Sequence, residues 1–127
     1  MSYRILLNLV VIRSADLNRA AGFYEQLGMR PVKERHGDGP EHYSAQLGST
    51  VFEIYPLDGR PPSASSVRLG FRVTSLDRLV ERLVELGARV PMPPRMTAWG
   101  RRAVVEDFDG YRIELTETDE DQHLLDE

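Results

Sequence analysis

The sequence predicts an α+β domain made of two βαβββ units, and three observations predict it. The chain repeats itself: Leu9 and Arg68, Leu17 and Leu76, and Gly28 and Gly87 are each separated by 59 residues. Within each copy the hydrophobic period changes from that of a strand to that of a helix and back again. Both copies then close on the same kind of strand, Val51-Phe52-Glu53-Ile54-Tyr55 and Tyr111-Arg112-Ile113-Glu114-Leu115. A repeat of this length means two equal supersecondary units. It makes Glu53 and Glu114 structural counterparts.

Residues 4–13, rich in Val, Leu and Ile, predict the first strand. Asp16 stands where a side-chain oxygen caps a helix, and Leu17, Ala20, Ala21, Phe23, Tyr24 and Leu27 recur at helical spacing up to Gly28. Short strands are expected near 30–35, 42–47 and 51–55, with turns at Gly37-Asp38-Gly39-Pro40 and Gly48-Ser49. In the second copy Arg68 to Arg72 form the leading strand. Ser75 and Gly87 bracket the helix carrying Leu76, Leu79, Val80, Leu83 and Leu86. Strands near 89–91, 101–106 and 111–116 follow, the last two joined by Asp109-Gly110. Met92 to Arg95, with Pro91, Pro93 and Pro94, reads as a stiff rim loop. The domain is expected over 1–117, with units at about 1–56 and 67–117, a Pro- and Ser-rich linker at 57–66 and an acidic tail at 118–127.

Composition narrows the function. A chain of 127 residues can bury a core of its own, and without cysteine it has neither disulfides nor thiolate chemistry. A net charge of −4 argues against a nucleic-acid partner. No apolar run reaches membrane-spanning length, and Met1 to Arg13 lacks the pattern of a secretory signal. The cytoplasm is the expected compartment, with no membrane partner.

Strand periodicity assigns faces. Val10, Ile12, Phe52, Ile54, Leu69, Phe71, Val73, Tyr111, Ile113 and Leu115 should face the helices. The opposite face then carries Arg13, Glu53, Tyr55, Arg68, Arg72, Arg112 and Glu114. A solvated sheet surface has this composition, and so does the wall of a cup that binds a ligand. Arg13, Tyr43, Tyr55, Arg68, Trp99 and Arg112 are the candidate ligand-binding residues. Half-buried strand tyrosines often merely pack, and Trp99 is as well suited to packing as to walling a planar ligand. Gly70, with no side chain on this face, leaves room for a ligand or a partner backbone. His36 and His42 flank a turn, and for lone loop histidines a surface position is the expectation.

The two βαβββ units, the Asp-Leu…Phe-Tyr…Leu-Gly run and Trp99-Gly100…Asp107-Phe108-Asp109-Gly110…Ile113-Glu114-Leu115 resemble the vicinal oxygen chelate superfamily. That group contains glyoxalase I, extradiol dioxygenases, fosfomycin resistance enzymes and bleomycin-binding resistance proteins. The likeness spans about residues 4–117 and implies a cup-shaped mixed sheet with helices outside. It also implies a homodimer, since members commonly build the cup from paired units and exposed sheet edges need covering. Metal-binding members place ligands at positions that correspond here to Leu9, Glu53, Arg68 and Glu114. Leu9 offers no lone pair and Arg68 is a permanent cation. The expectation is no cofactor, with Arg68 bridging one or both glutamates on the floor of the cup. The alternative is a divalent ion (Mg, Mn, Zn or Fe) held by Glu53 and Glu114.

Three functions follow. The resemblance implies first a metal-free protein that binds a small organic molecule in the cup. The second is a lyase, isomerase or dioxygenase with Glu53 and Glu114 as catalytic residues. The third is a structural or regulatory dimer without a ligand. No P-loop or other phosphate motif is present.

Overall fold

The computed structural model describes residues 7–62 and 67–118. The start of the expected first strand, part of the linker and all of the acidic tail except Thr118 lie outside them. In chain order the elements are β1 (Leu9–Ser14), α1 (Leu17–Gln26), β2 (Val32–Glu34), β3 (His42–Leu47) and β4 (Thr50–Pro56). The second unit repeats them as β5 (Arg68–Val73), α2 (Leu76–Glu85), β6 (Arg89–Thr97), β7 (Gly100–Glu106) and β8 (Arg112–Glu117). The α+β class and the twofold βαβββ repeat are those the sequence predicts.

Each unit makes one mixed four-stranded sheet, in the orders β1-β4-β3-β2 and β5-β8-β7-β6. The first strand of each unit runs parallel to the last, and the other pairings are antiparallel. The registers repeat as well: Val11 lies opposite Glu53, and Gly70 opposite Glu114. Among the described residues no strand pairing joins the two sheets, so the continuous cup is not closed within one chain.

Alternation fixes what each sheet buries. Phe52, Ile54, Ile113 and Leu115 are all at most 2% exposed and share one core with Phe23 and Tyr24 of α1 and Leu76, Leu79 and Leu83 of α2. Phe71 of β5 meets both Tyr24 and Phe52, at ring-centroid distances of 6.4 and 6.1 Å. The helix sides of both units thus face a common core, and the opposite sheet faces look away from it. Burial of apolar area on this scale is the main stabilising term, at about 25 cal/mol per Å².

The turn between β7 and β8 locks the units together. Asp107, 5% exposed, accepts from Tyr24 Oη at 2.6 Å and from the amides of Asp109 and Tyr111 at 2.9 and 3.0 Å. Asp109 Oδ1 accepts from the Ala15 amide at 2.9 Å, and the Tyr111 hydroxyl from the Arg13 amide at 3.2 Å. Arg19 of α1 lies over the Phe108 ring at 3.9 Å. The turn expected at Asp109-Gly110 is therefore also the contact by which the second unit holds β1 and α1.

Two local expectations are corrected. Asp16 caps α1 through a bond from the Arg19 amide at 3.1 Å, but Ser75 does not cap α2 with its side chain. Its φ of 53° is left-handed, and the acceptor comes from Glu117, whose Oε2 takes the Leu76 amide at 2.9 Å. The stretch around Pro91, Pro93 and Pro94 is not a loop but the middle of β6, which pairs with β7 through two register shifts. A proline has no N–H for a ladder, which an edge strand tolerates on its outward side. β6 is such an edge.

Candidate functional site

The faces turned away from the core hold most of the candidate residues, divided between the units. On the second unit, β5 and β8 bring Arg68 and Glu114 together: Arg68 Nη2 lies 2.8 Å from Glu114 Oε1. Arg102, on the same phase of β7, reaches the same oxygen with its own Nη2 at 3.1 Å. One carboxylate oxygen is thus ion-paired with two guanidinium groups and accepts a hydrogen bond from that of Arg68. Arg102 Nε is buried without a hydrogen-bond partner, which is costly for a donor unless something meets it. The guanidinium also sits 5.7 Å from the ring of Trp99, which projects from the β6–β7 turn with 76% of its surface exposed. Arg112 is exposed, one register pair from both Arg68 and Glu106.

On the first unit Glu53 has a different partner. Its Oε2 lies 3.7 Å from Nε2 of His42, so Arg68 bridges one glutamate and histidine accompanies the other. His42 is 1% exposed, contrary to the surface position expected beside a turn. Its ring stacks on Tyr55 at 4.1 Å with 7° between planes. Arg13 lies over the same tyrosine at 5.3 Å and donates to the Pro56 carbonyl at 3.1 Å. Tyr43 belongs to the other face: its hydroxyl donates to Asn18 Oδ1 of α1 at 2.6 Å. Leu9 and Val11, 49% and 42% exposed, form an apolar row on the outer strand.

Sequence reasoning missed Arg102 and Glu34. Both were accessible from strand phase, since Arg102 lies two residues before Val104, the register partner of Glu114, and Glu34 is paired with His42. A groove of about 790 Å³ lies elsewhere, between the end of α1, the β3–β4 turn and β5, lined by Gly28, Met29, Gln46, Thr50, Gly70 and Phe71 among others. It contains none of the charged pairs described above.

The pairing on Glu114 sets the expected effect of removing Arg68. With Arg68 side chain 64% exposed and Arg102 still in place, Arg68→Ala should cost under about 1 kcal/mol in urea unfolding. A loss above about 2 kcal/mol would mean that Arg68 alone neutralises the carboxylate.

Away from these faces, several groups have shifted pKa values. Burial pushes the Asp107 carboxyl up from its ordinary value, partly offset by its hydrogen bonds. The Tyr24 hydroxyl is raised well above its ordinary value by burial and by Asp107. Arg101 beside it lowers the exposed Asp77 carboxyl near the start of α2 through a hydrogen bond.

Comparison with known proteins gives a consistent result. The model of a family described as "Glyoxalase/Bleomycin resistance protein/Dioxygenase superfamily" matches residues 6–115. A search of curated proteins finds no match. Among solved structures, TnmS3, an antibiotic binding protein from Streptomyces sp. CB03234, is 25% identical with a TM-score of 0.72, over 94% of this chain and 100% of that one. A glyoxalase-related enzyme from Fulvimarina pelagi is 22% identical with a TM-score of 0.70, over 89% and 88%. An enzyme of the same superfamily from Burkholderia phytofirmans PsJN is 18% identical with a TM-score of 0.72, over 87% and 96%. No helix is long and apolar enough to cross a membrane among the described residues.

Proposed function

We propose, proceeding from the fact that this chain belongs to the glyoxalase/bleomycin resistance protein/dioxygenase superfamily, that it binds a small, planar, anionic organic molecule in a cup shared by two copies. The observation that carries this reading is the doubled guanidinium on Glu114. Arg68 and Arg102 outnumber the carboxylate they share, and Arg102 keeps one buried donor unmatched beside the exposed Trp99 ring. A carboxylate or phenolate on a flat ring system would accept from that donor and lie against the indole.

The packing supports the second copy. Because both units spend their helix sides on one core, the ligand-facing sides of a single chain do not close over one another. The outer edges of β1 and β5 are unpaired by other strands among the described residues, and Leu9 and Val11 are exposed beside one of them. The faces are also complementary in charge. Strand phase puts Glu34 and Glu53 with Arg13 on the first unit, and Arg68, Arg72, Arg102 and Arg112 with Glu106 and Glu114 on the second. The first unit of one copy facing the second unit of the other would form the cup.

Of the four positions at which metal-binding relatives hold their ion, Leu9 and Arg68 cannot ligate, which supports binding without a metal there. TnmS3, 25% identical to this chain, is described as an antibiotic binding protein, which supports a binding role. The test is a thermal-shift screen of naphthoates and their neutral amides, repeated with a chelator. The carboxylates should raise Tm equally with and without the chelator, and Arg102→Ala should weaken their binding at least about tenfold. Hits that require metal, or are consumed, would instead favour an enzyme using Glu53 or Glu114.

A further inference from the structure

We propose that Glu34, His36 and His42 form a binding site for a borderline divalent ion, zinc foremost, at the β2–β3 hairpin. The site adjoins Glu53 but takes none of its three ligands from the superfamily ligand positions, and it does not depend on the ligand-binding reading above.

The geometry is that of a ligand set. Glu34 Oε1 lies 3.2 Å from His42 Nε2 and 3.3 Å from His36 Nε2, and one ligand atom from each residue falls within 4.8 Å of both others. A tetrahedral zinc with bonds near 2.0–2.1 Å separates neighbouring donor atoms by about 3.3–3.4 Å. Both measured separations fall close to that edge length.

The hydrogen bonding of His42 strengthens the case. Its Nδ1 lies 3.1 Å from the Pro40 carbonyl, an acceptor that fixes the ring proton on Nδ1. Nε2 then turns its lone pair toward Glu34 and, at 3.7 Å, toward Glu53. A lone pair facing two carboxylates in a 1% exposed residue favours a cation between them. A second imidazole, His36, places its Nε2 3.3 Å from the same carboxylate oxygen, with ring centroids 5.1 Å apart. Two imidazoles and one carboxylate on a common point are what a metal ion collects.

The supporting structure is rigid where rigidity is needed. Tyr55 stacks on His42 and fixes its plane, and the register of β2 on β3 sets Glu34 opposite His42. His36 is 71% exposed and lies in the turn, so it can close on an ion without disturbing the core. Two imidazoles and a carboxylate with a fourth position open suit Zn²⁺, Co²⁺ or Ni²⁺ better than the all-oxygen preferences of Mg²⁺ or Ca²⁺.

The experiment uses untagged full-length protein stripped with a chelator and dialysed. Co²⁺ and Zn²⁺ are titrated by calorimetry, and the Co²⁺ complex is followed by its visible absorption. One ion per chain is expected, with micromolar or tighter affinity, four-coordinate Co²⁺ bands and displacement of Co²⁺ by Zn²⁺. His36→Ala and Glu34→Gln should each weaken binding at least tenfold while circular dichroism is unchanged. Substituting the remaining histidine, in the acidic tail (His123→Ala), or Glu114→Gln should leave it within threefold. Affinity no better than millimolar, equal binding by His36→Ala, or loss of binding in Glu114→Gln would each overturn the proposal.

Discussion

Replacing Asp107 with alanine is expected to destabilise the domain by about 3–5 kcal/mol, the largest effect of any single polar substitution considered. The Tyr24 hydroxyl and the Tyr111 amide, both on buried residues, lose their acceptor, and each buried unpaired donor costs roughly 1–3 kcal/mol. Urea unfolding followed by circular dichroism reads the loss. A change below about 1 kcal/mol would show that the β7–β8 turn does not hold the units together. Asp107→Asn keeps an acceptor and should cost less. It also has a distinct pH signature, because burial raises the folded-state pKa of Asp107 above its unfolded value. Between those two values the native chain holds a proton that the unfolded chain has released, so this group's contribution falls as pH rises. It is full below the unfolded pKa and lost above the folded one. The asparagine variant should lack that slope.

Val11→Asp is expected to convert a dimer to a monomer without unfolding it. Val11 is 42% exposed in the single chain, so a carboxylate there costs the isolated fold little. At a contact made through β1 it would be buried opposite Glu53, its register partner, with no cation added. Light scattering at about 10 µM should give twice the 14.4 kDa chain mass for the natural sequence and the single mass for the variant. A natural protein at the single mass would sink the shared cup. A dimeric variant would move the contact away from β1.

Much of the architecture was legible because it is local or periodic. The 59-residue repeat, the helix stripes and the alternation in Val51 to Tyr55 and Tyr111 to Leu115 need no knowledge of the rest of the chain, and each appears as predicted except at Leu86, which is 45% exposed at the end of the α2 stripe. The phase of β3 could have been read as well, since Tyr43, Ala45 and Leu47 alternate with polar residues. Tyr43, expected in the cup, instead faces α1. Non-local relations were not legible. His42 is buried by Tyr55 and Glu34, residues brought to it by two different strand pairings. The capping of α2 by Glu117 depends on the parallel pairing of β5 with β8, which sets the last strand beside the start of the helix. The separation of Glu53 from the Arg68–Glu114 pair depends on how two whole units pack. No spacing in the chain encodes that directly.

The prolines of β6 have a consequence for solubility. Each four-stranded sheet has two outer edges, and an edge with free N–H and C=O groups is a template on which other chains can polymerise. On the outer side of the second sheet, Pro91, Pro93 and Pro94 remove donors, and two register shifts bend the strand. On the outer side of the first, β2 is only three residues long and carries Lys33. Both far edges are therefore poor seeds for strand addition, and among the described residues β1 and β5 are the edges that invite it. If β1 of one copy meets β5 of another, a twofold axis makes the same contact twice and uses up both edges at once. Growth stops at two chains instead of running on into a fibre.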